Sequence, residues 1–366
     1  MSPFSAEIVR WYQENKRDLP WRHTRDPYVI WLSEIILQQT RVDQKRPYFE
    51  RFLEQYPTVQ AFSQASEDEI LRLWQGLGYY SRARNMHRAA KQVMEHYQGQ
   101  FPTAYHELLQ LKGIGEYTAS AISSFAADEA RAVLDGNVFR VLSRYFGVDT
   151  PINSGAGKKV FQALAQEVLS ENQPGLHNQA MMEFGALHCT PKKPDCLNCP
   201  LRLGCVAWEN GTVGELPVKL KAKPARRRIF HYLLIRDGDR ILMNKRGAGD
   251  IWQNLYEFPL IEEISLIEES PSVSMDPTSS AAQPGSEKFF AELAQYVGPH
   301  AEISLLEGPI KHVLSHQHLF AYFWSVRVLP SEIKKKAGWD YVDTKELNTL
   351  AKPKLIVSFL ERAIIN

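Results

Sequence analysis

The sequence predicts a multidomain protein in which an all-α region is followed by a smaller α+β region. A chain of 366 residues is too long for a single compact core. Through roughly the first two hundred residues apolar side chains recur at spacings of three and four, the helical period. Beyond the basic run KLKAKPARRR at 219–228 the pattern changes to short apolar runs broken by turn residues. The only four cysteines fall within 17 residues, at the end of the helical region.

Each element follows from its local pattern. IVRWYQENKR, PYVIWLSEIILQQT, EDEILRLWQGL, RARNMHRAAKQVMEHY, TASAISSFAA and GKKVFQALAQEVL read as amphipathic helices separated by Gly, Pro or Asp. The stretch 214–228, with Pro217, Pro224 and the basic run, is the expected linker. It divides a first domain at 1–213 from a second at 229–366. RIFHYLLIRDGDRILMNKR places two apolar runs around Asp237-Gly238, a hairpin signal. HLFAYFWSVRVL reads as a strand and LIVSFLERAII as a C-terminal helix. Residues 269–287, rich in Ser and Pro, are expected to form a mobile loop.

Charge is divided unevenly. Residues 1–228 hold 29 Lys and Arg against 24 Asp and Glu, a net +5; residues 229–366 hold 14 against 18, a net −4. The basic excess suits either a solvated linker or a segment that tracks phosphates. With no signal-peptide pattern and no apolar run of membrane length, the expected location is cytoplasmic, away from any membrane.

Cys189-x6-Cys196-x2-Cys199-x5-Cys205 is unlike a secreted disulfide framework, which would spread its cysteines along the chain. Four thiolates can hold a tetrahedral zinc or a four-iron cluster. Leu111-Lys112-Gly113-Ile114-Gly115 lies between two helical segments. Its two glycines allow φ above zero and close backbone approach, and its amides with the next helix form an anion site. Asp135 precedes a helix beginning near Asn137, the place of an N-cap. Glu34 sits among Ile30, Trp31, Ile35, Ile36 and Leu37, where a carboxyl group is held protonated and can act as an acid.

LPWR, DPYVIWLSEIILQQTRVDQ, LWQGLGYYSRARN, GIGEYTA, LDGNVFRVLSR, NQAMMEFGALHC and the cysteine loop together resemble the adenine DNA glycosylase (MutY) family of the endonuclease III-like helix–hairpin–helix superfamily. The resemblance spans nearly all of residues 5–206. It implies a helical glycosylase domain of two lobes with DNA between them, and a 4Fe–4S cluster on Cys189, Cys196, Cys199 and Cys205. It assigns Glu34 to protonate N7 of a flipped adenine and Asp135 to stabilise the sugar cation. Tyr117, Asn137, Arg22 and Gln179 match the adenine pocket. Gln39 and Tyr79 match side chains that push into the base stack, and Gly113 and Gly115 match the DNA-binding hairpin. Where lyases of the superfamily carry Lys, this chain has Tyr117, which cannot form an imine, so a monofunctional hydrolase is expected.

RIFHYLLIRDGDRILMNKRGAGDIWQNLYEFPLIEE resembles the start of a Nudix-like fold. The glutamate-rich Mg²⁺-binding helix of Nudix hydrolases does not follow it, so pyrophosphate hydrolysis is not expected. In the MutY family this domain reads the 8-oxoguanine opposite the adenine through a Phe-Ser-His triplet. Ser315 and His316 match, while Leu314 replaces Phe. The implied partner is double-stranded DNA with A opposite 8-oxoguanine or G, bound by a monomer in base excision repair. Three competing readings remain: a glycosylase/lyase for oxidised pyrimidines, a Nudix nucleotide hydrolase, and a non-catalytic DNA-binding protein.

Overall fold

The computed structural model describes residues 2–38, 42–221, 224–264, 285–298 and 300–364. They form two compact units. One comprises residues 1–65 with 82–222, the other residues 66–81 with 223–366.

The first unit is helical. It begins with α1 (Pro3–Asn15), a 3-10 turn at Pro20–Arg22, α2 (Pro27–Leu37), α3 (Val42–Gln55) and α4 (Val59–Gln64). After α5 (Glu67–Leu73), which belongs to the other unit, follow α6 (Ser81–Tyr97), α7 (Tyr105–Leu108), α8 (Glu116–Ala127) and α9 (Gly136–Phe146). It closes with α10 (Gly155–Val168), α11 (Pro174–Leu187) and α12 (Val206–Glu209). The helices expected from periodicity are all present. Helix α3 is an addition, interrupted in pattern by an internal Pro47.

The ends of these helices are chemically marked. Asp26 caps α2 with Pro27 in its first turn, Ser154 caps α10, and Asp135 caps α9 by accepting from the amides of Asn137 and Val138. Helix α8 is buried along Thr118–Ser124 and packs against both α2 and α11. A core of Phe4, Ile8, Tyr12, Val138, Leu142, Phe161 and Phe184 locks α1, α9, α10 and α11 together. Among the described residues no helix is long and apolar enough to cross a membrane.

The second unit is built on a mixed sheet. Its strands are β1 (Arg226–Asp237), β2 (Arg240–Lys245), β3 (Tyr256–Glu257), β4 (Leu260–Ile264), β5 (Glu302–Leu314), β6 (Gln317–Arg327) and β7 (Trp339–Asp343). The order is β3-β2-β1-β6-β5, with β4 on β1 and β7 on β2; β1 and β6 run parallel. Besides α5, helices α13 (Glu287–Leu293) and α14 (Lys354–Ile364) belong to it. The expected hairpin, strand and C-terminal helix are β1–β2, β6 and α14. Of the Ser/Pro-rich stretch 269–287, residues 269–284 lie outside the described residues, and Ser286 caps α13 rather than continuing a loop.

The expected linker is more structured than its composition implies. Arg144 donates to the carbonyl of Leu216, and Ile152 to that of Val218, which fastens 216–218 to the helical unit. At the other end β1 already starts at Arg226. Arg228 is buried, bridged to Asp250 and Glu262, and so unavailable as a phosphate contact. The segment 66–81 also departs from the sequence reading, because Asp68 pairs with Lys245 and Gln75 accepts from the Lys352 amide within the second unit.

Close approach of α11 to α9 depends on Gly185. A Cβ there would lie 2.6 Å from Asn137 Cβ and 2.9 Å from its carbonyl oxygen. Gly185→Ala must therefore push the first turn of α9 away from α11. We expect a loss of about 1–3 kcal/mol, the usual cost of overpacking, read as a fall in melting temperature of roughly 2–4 °C per kcal/mol. An unchanged melting temperature would mean that the two helices separate freely.

Candidate active site

The helix packing brings two carboxylates, distant in sequence, close enough to feel each other's charge. Glu34 lies on α2 amid apolar side chains and is only 9% exposed. The α2–α8 contact sets Tyr117, in the first turn of α8, against it, and the Tyr117 hydroxyl donates to Glu34 Oε2 over 2.7 Å. Burial pushes the Glu34 carboxyl up to about 7. The bond from Tyr117 opposes the rise, nearby Asp135 adds to it, and Arg22 draws it down. Burial, with the charges of Glu34 and Asp135, holds the Tyr117 hydroxyl well above its ordinary value, so it remains a neutral donor.

Asp135 is held differently. Its Oδ1 accepts from the amides of Asn137 and Val138, each at 2.8 Å, and its Oδ2 from Asn137 Nδ2 at 2.8 Å. Burial raises its carboxyl above the usual range, and these hydrogen bonds restrain the rise. Arg140, one turn further along α9, fixes Asn137: its Nη2 donates to Asn137 Oδ1 at 2.9 Å and to the Gly185 carbonyl at 2.6 Å, while its Nε donates to the Cys189 carbonyl at 2.7 Å. The cap expected from sequence is present, and its amide neighbour is braced from α11 and from the start of the cysteine loop.

Arg22, in the turn before α2, and Gln179, on α11, are both held by a further network. Arg22 forks onto Glu183 with 2.9 and 2.8 Å bonds, and its guanidinium lies 5.5 Å from the Tyr12 ring centroid. The Tyr12 hydroxyl donates to Gln179 Oε1 at 2.8 Å. Arg17 reaches the same Glu183. Tyr12, Arg17 and Glu183 escaped the sequence reading. One signal was available: Glu183 is an acid inside the apolar run AMMEFGAL, and a carboxylate buried in such a run requires a partner.

The hairpin between α7 and α8 has one constrained glycine. Gly113 adopts φ +81°, and a Cβ there would fall 2.6 Å from Asn85 Cβ. Gly115 caps α8 in extended backbone, which any residue can adopt, so only one of the two glycines is needed for a left-handed turn. A groove of about 690 Å³ opens beside them, lined among others by Gly113, Tyr117, Leu134, Asn153 and Lys158; neither carboxylate lines it.

In the second unit Ser315 and His316 form the exposed two-residue turn between β5 and β6. The Ser315 hydroxyl hydrogen-bonds that of Tyr79, whose backbone is left-handed at φ +48°. Gln39 lies outside the described residues.

Cys189, Cys196, Cys199 and Cys205 are all free thiols of intermediate burial. Burial raises the thiols of Cys196, Cys199 and Cys205, and the charges of neighbouring cysteines add to it. Arg144 Nη1 donates to Cys189 Sγ at 3.4 Å, supplying positive charge where thiolates would gather. Among the described residues no three or more His, Cys, Asp or Glu side chains are grouped to hold one metal ion. A four-iron cluster asks for a looser arrangement, because each thiolate ligates a different iron.

Residues 32–169 match the family described as HhH-GPD superfamily base excision DNA repair protein, and residues 231–362 match the NUDIX domain. The structure of a thermostable thymine-DNA glycosylase is similar over 57% of this chain and 95% of its own, with 31% identity and TM-score 0.53. A trapped endonuclease III–DNA covalent intermediate shares the fold over 57% of this chain and 94% of its own, at TM-score 0.50 and 21% identity. Fold and site thus define a base-excision DNA glycosylase of the helix–hairpin–helix class with a C-terminal Nudix-like domain. Similarity to adenine DNA glycosylases is 37% identity with that of Buchnera aphidicola (70% of this chain, 74% of the relative), 30% with that of Mus musculus (89% and 71%) and 40% with that of Homo sapiens (86% and 65%). The chain belongs to the adenine DNA glycosylase family.

The raised Glu34 carboxyl has a stability consequence. Between its ordinary pKa of 4.5 and the folded value of about 7, the folded protein holds a proton that the unfolded chain has released, so stability is lost as pH rises through that window. Glu34→Gln removes the penalty. We expect the variant to be more stable than the wild-type protein at pH 8, by about 3 kcal/mol from the size of the shift, and to differ little at pH 4. Thermal melts of both proteins across this range check it; parallel curves would place Glu34 in solvent.

Proposed function

We propose that this protein hydrolyses the N-glycosidic bond of adenine mispaired with 8-oxoguanine, or with guanine, in duplex DNA, and leaves an abasic site without cutting the strand. The observation that carries the reading is a buried, protonatable Glu34 beside an Asp135 held by three hydrogen bonds. Glycoside cleavage uses two carboxyl groups in this way, one to protonate the leaving group and one to offset the charge that grows on the sugar.

Glu34 gives its proton to N7 of the extruded adenine, and the bond from C1′ to N9 breaks with its electron pair leaving on the base. Asp135 stabilises the cation on the sugar and takes the proton of the incoming water as its oxygen bonds C1′. Tyr117 orients Glu34 and offers no amine, so the sugar is released to water rather than trapped as an imine. Asn137 holds Asp135, and Arg22 and Gln179 flank the base. Gln39 and Tyr79 fill the space left in the stack, since extrusion costs a few kcal/mol. Gly113 and Gly115 present backbone amides to a phosphate. Ser315 and His316 contact the opposite base, so the helical unit serves chemistry and the sheet-containing unit reads the partner.

A 4Fe–4S cluster on Cys189, Cys196, Cys199 and Cys205 fits the four-thiol donor set. When bound it supplies a rigid cross-link of the loop 189–205, on which Lys192, Lys193 and Arg202 face phosphates. Protein purified without air should carry about four irons per chain and the broad visible absorbance of such a cluster; stoichiometric zinc without iron would refute this.

The decisive variant is Asp135→Asn. A neutral amide keeps the size and much of the cap but cannot offset the charge on the sugar. Single-turnover excision of A opposite 8-oxoguanine should fall at least ~10²–10³-fold, with duplex binding retained in a gel-shift titration. Half of the wild-type rate would contradict the assignment.

A further inference from the structure

Arg22 poses an electrostatic problem for the site. It ends the 3-10 turn that packs against α2, the helix of Glu34, so an acid that must keep its proton has a permanent cation beside it that favours its ionised form. Among the described residues, three titratable groups act on Glu34. Tyr117 reaches it from α8, Asp135 from the start of α9, and Arg22 from the turn before α2. Lys45 of α3 and Arg82 of α6 bind carbonyls at the C-terminal end of α2, at Gln38 and at Ile35 and Gln38.

Glu183 meets that problem. It is 1% exposed and lies one turn beyond Gln179 on α11. Its two oxygens accept both Nη atoms of Arg22, the Nε and Nη2 of Arg17, and the Arg17 amide, all at 2.6–2.9 Å. Burial alone would push its carboxyl up, but the two arginines pull it down to about 2, so it carries its negative charge at every working pH. Arg17 is the more exposed of the two arginines, at 35% against 13%, and water screens much of its charge. Glu183 thus binds both arginines, and Arg22 is the more deeply buried of the two.

We propose that Glu183 is a positioning residue that neutralises Arg22 and aims its guanidinium across the Tyr12 ring, so that Arg22 can border the base pocket without ionising Glu34. Nothing in the sequence motifs or the family match assigns it this part. The inference rests on the proposed role of Glu34 as the acid.

The test is the pH dependence of single-turnover excision on A opposite 8-oxoguanine with the full chain. The wild-type rate should fall as pH rises through the Glu34 titration. Glu183→Gln leaves Arg22 unopposed, favours the Glu34 carboxylate and moves that alkaline limb to lower pH, by about one unit. At a pH above the limb this is a ~10-fold loss relative to wild type, since each unit is a factor of ten in protonation. Glu183→Asp keeps the charge and should leave the limb close to its wild-type position. Arg22→Gln should move it the opposite way, and this variant keeps the proposal testable if Glu183→Gln does not fold. A rate that drops equally at all pH values in Glu183→Gln, or an Arg22→Gln limb that stays in place, overturns the inference. Glu34→Gln separates the two levels. If the limb survives there, the acid is another group and the proposed function is misassigned; if it vanishes there but stands still in Glu183→Gln, only the role of Glu183 fails.

Discussion

Two buried carboxyl groups set close to one another are the constraint on which the helical unit is built. Burial raises both Glu34 and Asp135, and the charge of Asp135 makes ionisation of Glu34 harder still. Their surroundings then separate them. Asp135 has three hydrogen-bond donors converging on it, which favour its charged form, whereas Glu34 has a single neutral phenol and a wall of apolar side chains. One carboxyl is thereby disposed to give a proton near neutral pH and the other to face positive charge, a division of labour set by environment rather than residue type.

Holding that arrangement takes structure well outside the pocket. The first turn of α9 is fastened from three sides: by Asp135 as its cap, by Arg140 to the backbone of α11 and Cys189, and by the close approach that Gly185 permits. Arg144, a turn further on, donates to Cys189 Sγ and to carbonyls at Thr190 and Leu216. The cysteine loop is thus continuous, through two arginines of one helix, with the residues that position Asp135. This gives the loop a mechanical connection to the residues around Asp135.

Much of this was legible in the sequence because it is local. The amphipathic helices, the cap at Asp135, the apolar setting of Glu34 and the β1–β2 hairpin each depend on residues within a few positions of one another. What was missed is non-local. Glu183 finds its partners more than 160 residues upstream, and no spacing in the chain announces that. Pro47 hid α3 by breaking its pattern. The linker was read from its prolines and charges, yet backbone hydrogen bonds to Val218 and ladder pairing from Arg226 order both of its ends. Residues 66–81 read as part of the helical region, yet their polar side chains are satisfied by Lys245, Lys352 and Ser315 of the second unit.

The most direct measurement is base release from three duplexes under single-turnover conditions: A opposite 8-oxoguanine, A opposite G and A opposite T, each followed by alkali and, separately, by no alkali. Adenine should leave the first two and not the third, with strand breaks appearing only after alkali. Equal release from all three, or strand breaks without alkali, would contradict a mispair-specific hydrolase that works through Glu34 and Asp135.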